Sequence, residues 1–541
     1  MIFSSAMILF ACSGVEVEEP ESTGLVQLEG GRLLRRISLD IRGVVPSLEE
    51  LEQASISSES LEEMWPLWLE DPRFEERLVD LFAEQWLTRV DDYNVTYLDF
   101  KLDESSEYEF LRSVGEEPLR LIANVIANDL PYSEIATADY MYSTEFLSEI
   151  WPISREASVG ESGDEWGLSS WTDDRPSAGV LASNGLWWRY YTTPFNYNRG
   201  RSSAVTRLLL CEDYLERPVK FTEAPALLDE GDTENAIKSS ESCMACHTTL
   251  DPMASALFGF WWYEIYDPAE MSRYHADREP LGESILGVAP EFFGIPVSGL
   301  GELGQALTLD PRFKQCAVQT AATMFWRRHV SLVDFVRLSD LREEFESTGL
   351  NYKALVESIM RGEVYRAGGF TEDVGEATEA REEVSRIMSP EMLSSAVLDL
   401  TGFEWLEGGW EQLESDRTGF RVLAGGLDGV GVTQPSRGPS LTWALVVKRL
   451  AQGAAYHAVT GDYEGEGPSL ISAGVGVSPG DPNFELELER LFLRLFGREV
   501  TSDEKASYSE FFSVVEAEGS QEAAWRSIIS VMLRDPEFVS Y

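Results

Sequence analysis

Apolar positions along the chain recur mostly at helical spacing. After Asp71-Pro72, the residues Leu78, Leu81, Phe82 and Trp86 return every three or four positions, which places them on one helix face. Asp310-Pro311 opens a similar run that ends at Trp326. Asp followed by Pro is a favoured helix start, because proline lacks an N–H that the first turn would leave unpaired anyway. Ser47-Leu48-Glu49-Glu50 has the form of a capping box. The same reading predicts helices over 118–129, 201–211, 352–360, 389–400, 441–455 and 485–496. Strand-type alternation is scarce, and the Gly- and Val-rich stretch 421–432 reads as a loop or a short hairpin. The predicted fold class is mostly α.

The pattern also repeats. Leu34, Leu39-Asp40 and Gly43 match Leu393, Leu398-Asp399 and Gly402 at identical spacing. Phe325-Trp326-Arg327-Arg328-His329-Val330 aligns with Leu495-Phe496-Gly497-Arg498-Glu499-Val500. Each of these is followed by a Ser/Thr- and acid-rich helix start and an amphipathic run. The expectation is two related helical modules, at 25–366 and 384–541, joined by a Gly- and acid-rich linker at 367–383.

Composition narrows the function classes. The chain has 541 residues, 43% of them hydrophobic, enough for several domains. No apolar run is long enough to span a membrane. With 94 acidic residues against 43 basic ones, the net charge is −51. A field of that sign repels phosphate, so nucleic acid is excluded as a partner. Only seven of the basic residues are Lys. An acid-rich, Lys-poor surface suits salty water, and it equally suits a cationic redox partner.

The cysteines carry the chemistry. Cys243-Met244-Ala245-Cys246-His247 is a C-x-x-C-H run, the signature of covalent c-type haem attachment. Each thiol adds to one vinyl group of the ring, and the following His sits under the iron as axial ligand. A zinc half-site and a thioredoxin-like redox pair are the competing readings. The first lacks a second ligand pair, and the second lacks a strand-to-helix setting. The sequence thus places a haem segment, 236–366, as an insertion in the first module, after a helical region at 25–235. For the sixth iron ligand His275 ranks first, ahead of an open iron, with Met271, Met324 and His329 as further candidates. Met253 lies so soon after His247 that the chain would have to wrap the ring edge at once. Aromatic runs at 258–263 and at Trp187, Trp188, Tyr190 and Tyr191 supply haem packing, ordinary core or a planar-ligand site. Cys211 and Cys316 flank the haem segment and read either as a disulfide or as two buried thiols.

Residues 1–24 form an apolar or small-residue stretch and an acidic tether. Within it, Leu9-Phe10-Ala11-Cys12 resembles the lipobox of bacterial lipoproteins, which implies lipidation of Cys12. The first basic residue is Arg32, so the positive n-region of a signal peptide is missing. Haem c is attached outside the cytoplasm, which points independently to export.

Larger stretches resemble a family. Leu34 to Gly43 with Val44-Val45-Pro46-Ser47-Leu48-Glu49-Glu50 resembles the DUF1549 domain of planctomycete-type c-type cytochromes. Leu491 to Thr501 and the ending Asp535-Pro536-Glu537-Phe538 resemble the companion DUF1553 domain. Cys243 to Met253, with 177–181 and 313–327, is similar to the haem-bearing DUF1588 and DUF1585 segments. The resemblance implies an exported cytochrome-like protein with Cys243, Cys246 and His247 as haem residues. The haem lies mid-chain rather than in an N-terminal cytochrome domain, a departure from the family pattern. The functional expectation is a mono-haem lipoprotein of the periplasm or outer membrane that transfers electrons at the cell envelope. The alternatives are an oxidoreductase acting on an exported organic substrate and a surface lipoprotein whose haem is structural.

Overall fold

The computed structural model describes residues 24–156, 166–217, 230–371 and 385–541. Cys12, the rest of the expected leader and most of the expected linker lie outside these residues. Helix dominates, with a few small antiparallel sheets. Two large hydrophobic clusters organise the chain, one built from residues between Leu33 and Tyr365, the other mainly from residues between Met388 and Val539.

The first cluster is built on α1 (Gly30–Arg42), α2 (Pro72–Trp86), α3 (Glu107–Ala127), α4 (Arg199–Leu210), α5 (Glu241–Ser255) and α6 (Pro311–Trp326). The second uses α7 (Pro390–Thr401), α8 (Leu441–Glu464), α9 (Pro482–Phe496), α10 (Ser502–Glu518) and α11 (Gln521–Met532). Leu25–Gln27 and Ala367–Phe370 pair antiparallel, with Leu25 opposite Phe370 and Val26 opposite Gly369. The start of the expected linker is therefore a strand that ties the two ends of the first cluster together.

Local rules account for the helix ends. Asp71, Asp310 and Asp481 each cap a helix whose first residue is proline, accepting the N–H two residues on. Left-handed caps end several helices. Gly43 and Gly402 end α1 and α7 in the left-handed conformation, with φ of 71° and 69°. Arg327 and Gly497 end α6 and α9 in the same way. Arg328 then pairs with Asp334, and Arg498 with Glu504, each carboxylate closing a capping box with Ser331 or Thr501.

One expectation is corrected. The helix placed at 118–129 begins eleven residues earlier, at Glu107, and carries Pro118 in its interior. Proline removes the N–H that would bond the Val114 carbonyl. Gly185 packs against that carbonyl so closely that a Cβ there would lie 2.1 Å from its oxygen. Glu117 beside it accepts the Gly185 N–H at 3.0 Å. Of the two readings of 421–432 the loop is the one seen: the short helix Phe420–Leu423 leads into a turn in which the Asp428 carboxylate accepts the N–H groups of Val430, Gly431 and Val432.

Helix α1 joins the clusters. Leu33, Leu34, Ile37 and Ile41 belong to the first and Leu39 to the second. Its polar side chains are buried as well. Arg35 donates to the carbonyls of Leu495, Phe538 and Ser540. Arg36 donates to Tyr365 and Ala367. Asp40 accepts the hydroxyls of Tyr365 at 2.9 Å and Tyr541 at 2.7 Å, and lies 3.4 Å from Arg386. Burial pulls Arg35 down to about 10 and Arg36 to about 9, so both stay charged at neutral pH. At the N-terminal end of α1, Gly31 meets Gly497 backbone to backbone, with a built Cβ only 2.4 Å from the Gly497 oxygen.

Asp40→Ala strands buried Arg386 and leaves two tyrosine hydroxyls without their acceptor. Denaturant unfolding is expected to show a loss of about 3–5 kcal/mol; a loss of about 1 kcal/mol or less, the size of a surface pair, would refute the role. Burial also pushes Glu117 up to about 8 from 4.5. Its folded form holds a proton that the unfolded chain has released, so its contribution to stability falls as pH rises from about 4.5 to about 8. The stability gained by Glu117→Gln should therefore grow across that window and level off above it, and a gain independent of pH would contradict the assignment.

Candidate functional site

Helix α5 carries the C-x-x-C-H run in its first two turns. Ser240 precedes it, and its carbonyl accepts the N–H groups of Cys243 and Met244. Residues three and four apart share a helix face, so Cys243, Cys246 and His247 line up on one side. Both thiols are free and partly exposed. Leu250 and Ala254, seven and eleven residues after Cys243, continue that side into the interior, with Met253 beside them.

One turn after His247 stands Asp251. The imidazole Nδ1 lies 2.8 Å from the Asp251 carboxylate. A carboxylate only accepts, so the proton sits on Nδ1 and Nε2 is left as the ring's metal-binding nitrogen. Arg199, at the start of α4, grips the same carboxylate with two hydrogen bonds of 2.7 and 2.9 Å. Burial pushes Asp251 up, but the hydrogen bonds from His247 and Arg199 outweigh it and hold the carboxyl below its ordinary range. The arrangement is a three-residue relay, Arg199 to Asp251 to His247, that fixes the ring.

His247 and Asp251 line a cleft of about 470 Å³, within the range of small-molecule sites. Ile237, Pro252, Ile285, Leu286 and Val288 give it apolar walls. The short helix Leu281–Leu286 reaches the cleft because Gly282 sits against Ser255, where a Cβ would lie 2.4 Å from the carbonyl oxygen. Behind one wall the rings of Tyr197, Trp261 and Phe258 stack in sequence, with centroids 5.8 and 5.2 Å apart. Two thiols on α5 and an oriented imidazole supply the donor types that covalent haem needs, but only His247 of the three borders the cleft. No group of three His, Cys, Asp or Glu that could hold a bare metal ion occurs among the described residues.

The candidates for a second axial ligand do not gather here. His275 is a half-buried residue whose Nε2 lies 2.8 Å from the Glu270 carbonyl. Its own N–H donates to Gly259, and it does not line the His247 cleft. The 28-residue spacing allowed a crossing, but the chain turns back at Gly259 and Tyr274 and keeps His275 at the surface. Met253 and Met324 are buried in the first cluster. Met271 lines a separate aromatic cleft with Trp187, Trp188 and Trp262, and His329 lines another between the two clusters. Trp187 and Trp188 are themselves core residues.

Sequence reasoning missed Asp251 and Arg199. The first was legible as a His-x-x-x-Asp step on a helix; the second lies 48 positions upstream of His247 with no local signal. Cys211 and Cys316 are joined as a disulfide, with Cα atoms 5.1 Å apart, tying the end of α4 to α6 across a separation of 105 residues.

Replacing Cys211 and Cys316 together by Ala should cost about 2–5 kcal/mol in denaturant unfolding. Equal stability of the variant and the oxidised parent would show that the bond constrains nothing. For this chain no family model, no curated protein and no solved structure gives a match.

Proposed function

We propose that this chain is an exported protein that holds one covalent haem c through Cys243, Cys246 and His247 and transfers electrons at the cell envelope. The observation that carries the reading is the Arg199–Asp251–His247 relay, which borders the cleft, on the same helix as the two free thiols one turn earlier. When bound, haem c supplies a one-electron iron couple. The chain's own contribution is positional. Asp251 fixes the imidazole tautomer and orientation, and Arg199 keeps Asp251 ionised and in place. Ile285, Leu286 and Val288 give the cleft one apolar wall, and apolar packing favours the less charged oxidation state.

Export is supported by the disulfide, since such bonds persist in oxidising compartments. Membrane attachment rests on lipidation of Cys12 alone; among the described residues no helix is long and apolar enough to cross a membrane. The acidic surface suits a cationic redox partner. The proposal includes a duplicated architecture, two related helical modules with the haem segment inserted in the first. The matching left-handed caps at Gly43 and Gly402, and the matching Arg328–Asp334 and Arg498–Glu504 closures, support it.

A second reading, an oxidoreductase with an exported organic substrate, is favoured by one observation. The only His that lines the cleft is His247, and the only Met is Met244, inside the attachment run.

The test is a visible spectrum of the purified protein, oxidised and reduced, with and without carbon monoxide. The electron-carrier reading expects a low-spin spectrum that carbon monoxide leaves unchanged; a shift with carbon monoxide overturns it in favour of the oxidoreductase. Cys243→Ala with Cys246→Ala should abolish haem that survives denaturation, and haem retained after denaturation would refute the attachment. Asp251→Asn should keep the covalent haem but raise its reduction potential, because His247 loses an anionic partner.

A further inference from the structure

The two hydrophobic clusters meet along a cleft of about 140 Å³, well away in sequence from the C-x-x-C-H run. Arg207 of α4 and Arg327 at the end of α6 line it from one side. Arg386 and Arg437 line it from the other. Glu84 is the one carboxylate among the lining residues. In a chain of net charge −51 this is the reverse of the general surface.

The positive charges are held in place. Arg327 lies 3.1 Å from Glu84; burial alone would weaken its hold on the proton, and Glu84 more than restores it. The Arg207 guanidinium donates to the Tyr190 hydroxyl at 2.7 Å, a neutral partner that leaves its charge uncompensated by that bond. Arg386 is 2% exposed and shares Asp40 at 3.4 Å. Its Nε, buried, has no hydrogen-bond partner. A buried N–H of a charged group left unmatched is costly. Thr433 and Ser436, on the loop that ends at Arg437, add hydroxyls to the lining.

We propose that this cleft binds a small oxyanion, a phosphate or sulfate group, either free or as a monoester. Guanidinium forks are the side chains best matched to such oxygens, because two parallel N–H groups meet two acceptor atoms. The volume is below the about 300 Å³ usual for drug-sized ligands, so the recognised unit is the anionic group itself. The site does not depend on haem, since none of its residues touches the His247 cleft. The two sites share only α4, on which Arg207 lies eight residues beyond Arg199, about 12 Å along the axis.

Calorimetric titration of the full chain with sodium sulfate, sodium phosphate and glucose 6-phosphate, at constant ionic strength in chloride, tests this. One saturable site per chain is expected. Binding of the inorganic ions assigns a free anion; binding of glucose 6-phosphate alone assigns the phosphate group of a larger molecule, and either supports the site. Arg207→Gln and Arg437→Gln should each weaken binding by about tenfold or more. Arg207→Lys, which keeps the charge but loses the fork, should fall between. Arg449→Gln removes an equal charge from an exposed pair with Glu407 and should leave binding unchanged. Circular dichroism confirms that each variant is folded. Absence of a saturable site in the parent chain, or equal affinity in the folded Arg207 and Arg437 variants, overturns the proposal.

Discussion

The buried charges of α1 hold the two halves of the molecule together. Arg35 reaches the last carbonyls of the chain, Arg36 reaches the end of the first cluster, and Asp40 gathers Tyr365, Tyr541 and Arg386. Such groups are expensive to bury, and only saturation with partners makes them tolerable. Because the partners come from both clusters, neither half can move far without leaving an ion or a carbonyl unmatched. The Gly31–Gly497 contact allows the approach that this network requires.

Arginine performs this work throughout. Arg35, Arg36, Arg201 and Arg386 are all almost fully buried, and each spreads its donors over carbonyls or a carboxylate. A lysine could satisfy fewer such acceptors from one position, since its donors radiate from a single nitrogen. The scarcity of Lys in the sequence thus has an interior explanation in addition to a surface one. The same preference leaves a concentration of guanidiniums where the clusters meet, inside a strongly acidic protein.

Helix α4 links the chemistry to this frame. Its first residue, Arg199, clamps Asp251 behind His247; Arg207 faces the intercluster cleft; and Cys211 just beyond its end is bonded to α6. The disulfide and the Arg199–Asp251 pair fasten α4 near both ends. The imidazole of His247 is therefore set by a helix that is itself fixed, which is what a ligand needs if its orientation is to tune a metal.

Much of this was legible in the residues. The periodic apolar runs, the Asp-Pro helix starts, the capping boxes and the matched Leu-Asp-x-x-Gly spacings all correspond to observed geometry, because each is decided within four or five residues of itself. The C-x-x-C-H run placed its thiols and imidazole on one face for the same reason, and Asp251 was within the same local reach. What the sequence could not decide were the meetings across the chain: Arg199 with Asp251, Arg35 with Leu495, four arginines around one cleft, and the failure of His275 to reach His247. Glu107–Ala127 running through Pro118 belongs with these, since the Gly185 that packs against the Val114 carbonyl and donates to Glu117 lies 67 positions beyond that proline. Local hydrogen bonding fixed the elements and the chemical motif. Burial, which counts contacts regardless of separation along the chain, decided which charges share a site.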